Sequence, residues 1–537
     1  MTSRLSRRII TILAVLSALA VSNVSAPQDN ALEIPSAVRE AAAIVTVNRL
    51  RDALSYLTSD ELKGRATLTQ GLERAVTYVA NQVTRWGLRP MGDASGYLQR
   101  YPIQRFVLDT AASRIESGGR TFRFGDDFMV RYAPQSVDVE TPVVYVGHGA
   151  VVRSRKIDPY AGVDYQHKIL LMWGPAVPKG LTEAERSDPA NFVSPPPSSE
   201  APAVIFIPRF EVLGSLWKAV QHPSAEQPEA DVRPAWSKPT SDAWIYAAPS
   251  LIQALMAGER LGADELYGRS LAGDPPPSFE LARDKRVRVK VVVKPAETFQ
   301  PANVLAMVEG RDPRLRSEYI TIQAHLDGTG AGPAADDNAS GVAALLAIAE
   351  ALARAPRPRR SLVLLWDTGE ERRGWGTEYF IEHSPIPLAN IVANINMDMI
   401  GRTKASGDVD PLNTELTGSN EVYVSGPKVL SSDLDALVES VNRHYLALNY
   451  NRRLDTWGSE WLYPRADHHW FLEKHIPVVF FFTGLHADYH RASDTIDKID
   501  VPKLERIART VFVTAWTLAD ATNRPRIDKP WPDRLKD

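Results

Sequence analysis

"EYITIQAHLDGTGAGPAADDNASGVAALLAIAEALAR", residues 318–354, holds the repeating unit of the fold. Its first eight residues are rich in β-branched and aromatic side chains and read as a buried strand. From Ser340 to Arg354, Val342, Leu345, Leu346, Ala349 and Leu352 recur at helical spacing, so a helix is expected there. Between strand and helix lies "AADDNASG", residues 334–341, with Asp336 and Asp337 side by side. Nothing basic lies within seven residues before or twelve after them. Neighbouring carboxylates repel, so the pair needs a cation from elsewhere.

The same rhythm continues downstream. "SLVLLWD", "IVANINMD", "EVYVSG" and "PVVFFFTG" read as further strands, and helices are expected near 375–384, 431–448, 466–474 and 501–521. Alternation of this kind predicts an α/β domain, a mixed, mostly parallel sheet flanked by helices. Such sheets place their chemistry beyond the carboxyl ends of the strands. Upstream, residues 45–90 read as helical, with Leu72, Ala75, Val76, Val79, Val83 and Trp86 on one face and stops at Gly87 and Pro90. From about 140 to 290 the texture changes to short β-like runs between proline clusters such as "SPPPSS" and "DPPPS", as expected of an inserted β-rich module. The expected organisation is a first part of the main domain at 30–138, an insert at 139–294, a second part at 295–524 and a tail at 525–537.

Composition narrows the function classes. The chain has 537 residues with a formal charge of −3, 24% charged and 44% hydrophobic residues, an ordinary globular balance that argues against a nucleic-acid partner. It has no cysteine, which excludes disulfides, thiolate metal sites and a cysteine nucleophile. Residues 1–20 carry three arginines and then an apolar stretch from Ile9 to Ala20, the shape of a signal peptide too short to span a bilayer. Small-residue cleavage patterns end at Ala20 and Ala26, the former favoured because Pro27 follows the latter. The expectation is export to the periplasm or the extracellular space, with no stable membrane anchor after the signal is removed.

The polar residues cluster by position. "AHLD", "DTGEE", "MDMIGR" and "TGLHADYHRASDT" each follow a predicted strand, and "AADDNASG" occupies a strand-to-helix loop. Taken singly, each has an ordinary structural explanation, such as a helix cap or a solvated turn. Together they bring imidazoles and carboxylates to one rim. Histidine and carboxylate donors without cysteine suit a catalytic zinc centre. Two metals sharing a carboxylate would offset the surplus of acids.

The run from "QAHLDGTGAGPAADDNASG" through "DTGEERRGWGTEYF" and "NMDMIG" to "FFTGLHADYHRASDT" resembles the co-catalytic zinc aminopeptidases, the family that includes glutamate-carboxypeptidase-like enzymes. "ELKGRATLTQGLERAVTYVANQVTRWGLRP" resembles its usual N-terminal portion, and "DPYAGVDYQHKILLMWG" resembles a protease-associated domain. The resemblance implies a zinc-exopeptidase fold and two Zn²⁺ per chain, with His325, Asp337, Glu371, Asp398 and His490 as ligands. In that scheme Asp337 bridges, His325 and Asp398 complete one metal, and Glu371 and His490 the other. Glu370 matches the general base, Asp327 the carboxylate that orients the His325 imidazole, and Tyr489 a residue that in some members polarises the substrate carbonyl.

The chain departs from the pattern where Arg373, Gly374 and Trp375 replace a glycine-leucine-leucine-like segment. Arg372 and Arg373 read as facing solvent. Ala466 stands in a serine position, and the adjoining Asp467 and His468 read as structural. The implied activity is removal of N-terminal residues from peptides. A carboxypeptidase or dipeptidase on acidic peptides, for which Arg372, Arg373 and Arg402 are the basic groups, stays open. So do a glutaminyl-cyclase-like transferase and a non-catalytic binding ectodomain.

Overall fold

The computed structural model describes residues 32–174, 178–182, 185, 191–193, 201–209, 228–239, 242–457 and 465–532. The expected signal segment and both cleavage positions lie outside the described residues. No described helix is long and apolar enough to cross a membrane.

Nine strands form the main sheet. Along its path the order is Arg89–Pro90, Ala302–Val308, Ser361–Trp366, Tyr319–Gln323, Ile391–Met397, Val478–Phe482, Glu421–Ser425 and Asn449–Asn451, with Leu98–Arg100 also paired to Ala302–Val308. The four central strands are parallel. Ala302–Val308 on one side and Glu421–Ser425 on the other run antiparallel to their central neighbours, so the sheet is mixed. The parallel strands therefore end on one edge, and His325, Glu370, Asp398 and His490 all lie in the segments that leave it.

Strand side chains alternate between two helical layers. Leu362, Leu364 and Trp366 join the core beneath Gly341–Arg354 and Val501–Asp520, while Val363 and Leu365 pack with Phe380, Ile381 and Phe471 on the opposite face. Ala302–Val308 is not among the strands read from sequence. All seven of its residues are buried, as are those of Ser361–Trp366 and Ile391–Met397. The predicted helices appear at Trp375–Glu382, Ser432–His444, His468–Leu472 and Val501–Asp520.

A second core draws on residues from Leu108 to Met256 and on to Val291. It fills the space between a six-stranded sheet, ordered Phe279–Glu280, Val143–Tyr145, Ile169–Trp173, Ala203–Ile207, Ala243–Ala247 and Phe128–Tyr132, and a four-stranded antiparallel one. A three-stranded ribbon, Glu229–Pro234, Ile103–Leu108 and Val293–Phe299, leads from this unit toward the main sheet. Its Val232 and the following Trp236 pack with Tyr101, Ile103, Trp375 and Tyr379. That junction places residues 231–239 beside the turn that carries Glu371.

Candidate metal centre

Asp337 stands between two histidines. Its Oδ1 is 3.3 Å from His325 Nε2 and its Oδ2 is 3.1 Å from His490 Nε2. Asp398 Oδ1 lies 3.3 Å from the same His325 nitrogen, and Glu371 Oε2 lies 3.3 Å from the same His490 nitrogen. Among the described residues, the groups whose donor atoms converge within 4.8 Å are His325–Asp337–Asp398 and Asp337–Glu371–His490. Asp337 belongs to both.

Each side chain is set by its loop. His325 follows the Tyr319–Gln323 strand, and Asp398 follows Ile391–Met397. Glu371 sits in the short helical turn Glu370–Arg372, entered through Gly369 at φ +82°, a left-handed conformation that glycine adopts without penalty. The aspartate pair divides its work. Asp336 turns away from the histidines of the centre, accepting from the Gly401 amide at 2.7 Å and facing His486 at 3.3 Å. Asp494 Oδ2 accepts from the amides of Asp336 and Asp337 at 2.9 and 3.2 Å and so fixes the peptide that aims Asp337. The Asn338 side chain donates to Met397 O and accepts from Met399 N, joining this loop to the Asp398 loop.

Asp327 couples the histidine loop to the glutamate turn. Its Oδ1 accepts from the Glu370 amide at 3.2 Å and lies 3.8 Å from His325 Nδ1, while its Oδ2 accepts from the Thr67 hydroxyl at 2.7 Å. An imidazole held from behind keeps its far nitrogen on target. Tyr489 stacks on the His490 ring at 3.7 Å, and burial with nearby Asp337 pushes its hydroxyl up.

Arg65 and Thr67 lie in the segment that resembles the family's N-terminal portion, but the sequence assigns neither a role. Arg65 is fully buried and donates to the carbonyls of Leu326 at 3.0 Å, Pro333 at 2.9 Å, Ala334 at 3.0 Å, and also Leu57. It ties both ends of the loop between His325 and Asp337. Gly64 beside it has φ +77°, and a Cβ there would lie 2.2 Å from Gly332 O, so the contact requires glycine. Replacing Arg65 with alanine strands several buried carbonyls and is expected to lower unfolding free energy by about 3 kcal/mol, read from denaturant titration.

The electrostatics call for cations. Burial pushes Glu371 up to about 10, helped by Asp337 and Glu370. Burial, only partly offset by His325, likewise raises Glu370 and Asp398. Burial alone would lower His325, but Asp398, Asp327 and Asp337 outweigh it and hold the imidazole well above its ordinary value. Glu371 Oε1 has no hydrogen-bond partner among the described residues. So many acids around two imidazoles, one carboxylate oxygen unpartnered, fit divalent ions, and the nitrogen–oxygen donor set suits zinc.

The other sequence candidates do not join the converging donors. Arg402 is buried and ion-paired to Asp488 at 2.8 Å and Asp494 at 3.6 Å, so it is not a free group for a substrate carboxylate. Arg372 and Arg373 are exposed. Asp467 and His468 are buried behind the centre, Asp467 against Asp367, with burial holding Asp467 well above the usual carboxylate range.

Residues 303–515 match peptidase family M28. Leupeptin-inactivating enzyme 1 of Streptomyces exfoliatus is 27% identical over 248 residues, 42% of this chain and 50% of that protein. An aminopeptidase of Pseudomonas aeruginosa is 32% identical over 136 residues, 25% of this chain and 23% of that protein. The chain thus spans about half or less of the length of these curated relatives. Among solved structures, the aminopeptidase from Aneurinibacillus sp. strain AM-1 superposes with a TM-score of 0.52 at 17% identity, covering 92% of this chain and 97% of that one. That likeness shows a shared fold.

Proposed function

We propose, on the premise that residues 303–515 are a peptidase family M28 region, that the protein is a metal-dependent exopeptidase: an aminopeptidase holding two zinc ions. The observation that carries this reading is the sharing of Asp337 between His325 and His490, one oxygen toward each. A carboxylate so placed is suited to bridging two cations, with Asp398 completing one site and Glu371 the other.

Ions bound there would supply an acidified water and an electrophile for the scissile carbonyl. The chain's own residues do the rest. Asp327 orients the Glu370 backbone and the His325 ring together, so base and ligand keep a fixed relation. Glu370 takes the proton of the attacking water and returns it to the departing amine. Tyr489, held flat against His490, is placed to donate to the carbonyl oxygen as it gains charge. The amino-terminal segment, read as an export signal, supports an activity outside the cytoplasm.

The test is hydrolysis of aminoacyl-p-nitroanilides before and after chelation, with metal counted per chain. Activity is expected to vanish with chelator and to return on adding zinc, at two ions per chain. Activity indifferent to chelation would refute the reading. One ion per chain would move it toward a cyclase-like transferase.

A further inference from the structure

Beside Glu371 lies a cleft of about 780 Å³, walled on one side by the Glu370–Arg372 turn and on the other by residues 231–239 of the inserted unit. The inserted wall is pinned. Trp236 packs at 4.9 Å on Tyr379 and at 6.1 Å, edge-on, against Tyr101. Arg233 stacks on Phe106 at 4.0 Å and pairs with Asp231 at 2.5 Å, so these two charges cancel. Glu378 is only half-exposed and lies against Trp236. Lys238, Arg372 and Arg373 are exposed and have no ion-pair partner among the described residues.

Arg373 also holds φ +72°, between Gly369 and Gly374, which are left-handed as well. Glycine would sit there with less strain, yet a long cationic side chain occupies the position. Trp470 lines the same cleft, and its indole N–H has no acceptor among the described residues.

We propose that this cleft receives the part of the peptide beyond the scissile bond, and that Arg372, Arg373 and Lys238 bind a carboxylate on it. The inference rests on the peptidase reading and adds a substrate class. Charge sets the direction: an aminopeptidase's substrate ends in an ammonium, which a cationic wall repels, whereas the leaving peptide carries the carboxylates. Two sources share that chemistry, the C-terminal carboxylate of a short peptide and an acidic side chain.

The experiment uses the full chain as the zinc-loaded Glu370→Gln protein and reads binding by calorimetry. One arm compares Leu-Gly-Gly with its C-terminal amide. The other compares Leu-Glu-Gly-amide with Leu-Gln-Gly-amide. Tenfold or greater preference for the carboxylate form is expected in at least one arm, and the arm that shows it identifies the source. The Arg372→Gln/Arg373→Gln protein should bring that ratio to within twofold of one. Should the double variant fail to fold, Lys238→Gln and Arg373→Gly are read singly, each expected to reduce the ratio at least threefold, the latter with an unchanged or higher Tm. Ratios near one in both arms, or a preference that survives the substitutions, would overturn the proposal. Carboxylate-dependent binding by a protein that hydrolyses no peptide would leave the cleft assigned and defeat the peptidase reading instead.

Discussion

Glu370→Gln protein is expected to carry as much zinc as the parent and to turn over leucine p-nitroanilide about 10²–10⁴-fold more slowly, the range that a positioned general base supplies. The amide is close to isosteric with the carboxyl, so the turn keeps its shape and the backbone N–H still reaches Asp327. On the proposed mechanism, what disappears is the acceptor for the water's proton and its return to the leaving group. The loss should fall on kcat, with KM moving little, because the group acts in the transition state. Metal content measured on the same preparation separates this outcome from a lost site. A variant within threefold of the parent rate would remove Glu370 from the mechanism.

The second large effect belongs to Asp337. Alanine there withdraws both oxygens that face His325 and His490, so the donor groups His325–Asp337–Asp398 and Asp337–Glu371–His490 lose a member at once. On the two-zinc peptidase proposal, zinc is expected to fall from two ions per chain to fewer than one after dialysis, and peptidase activity to background. Asp336→Ala probes the neighbouring carboxylate, which binds the Gly401 amide and faces His486. It should weaken the loop while retaining measurable zinc. Equal metal loss from the two variants, each still folded by circular dichroism, would contradict the division of labour between the paired aspartates.

Much of the main sheet could be read from local pattern. The strands at 319–323, 361–366, 391–397, 421–425 and 478–482 are short apolar runs bounded by turn residues, and each was expected within a residue or two. Helix Gly341–Arg354 followed from spacing alone. Ala302–Val308 escaped although it is buried like those strands, and the ribbon through Ile103–Leu108 escaped because its half-buried side chains carry a weak alternation.

Sequence by itself determined the classes of donor, histidine and carboxylate without thiolate, and their order along the chain. It also placed them after strands, because strand periodicity and turn chemistry are local properties that neighbouring residues impose on each other. Convergence was decided only in three dimensions. His490 meets Asp337 across more than 150 residues because parallel strands all end on one edge. The supports for those groups, Arg65 on the His325 loop and Asp494 beneath Asp337, lie in stretches that the sequence singles out, yet nothing there marks these two residues as supports. A buried donor has to find its acceptor wherever the packed chain brings one, and that partner leaves no mark in its neighbours along the sequence.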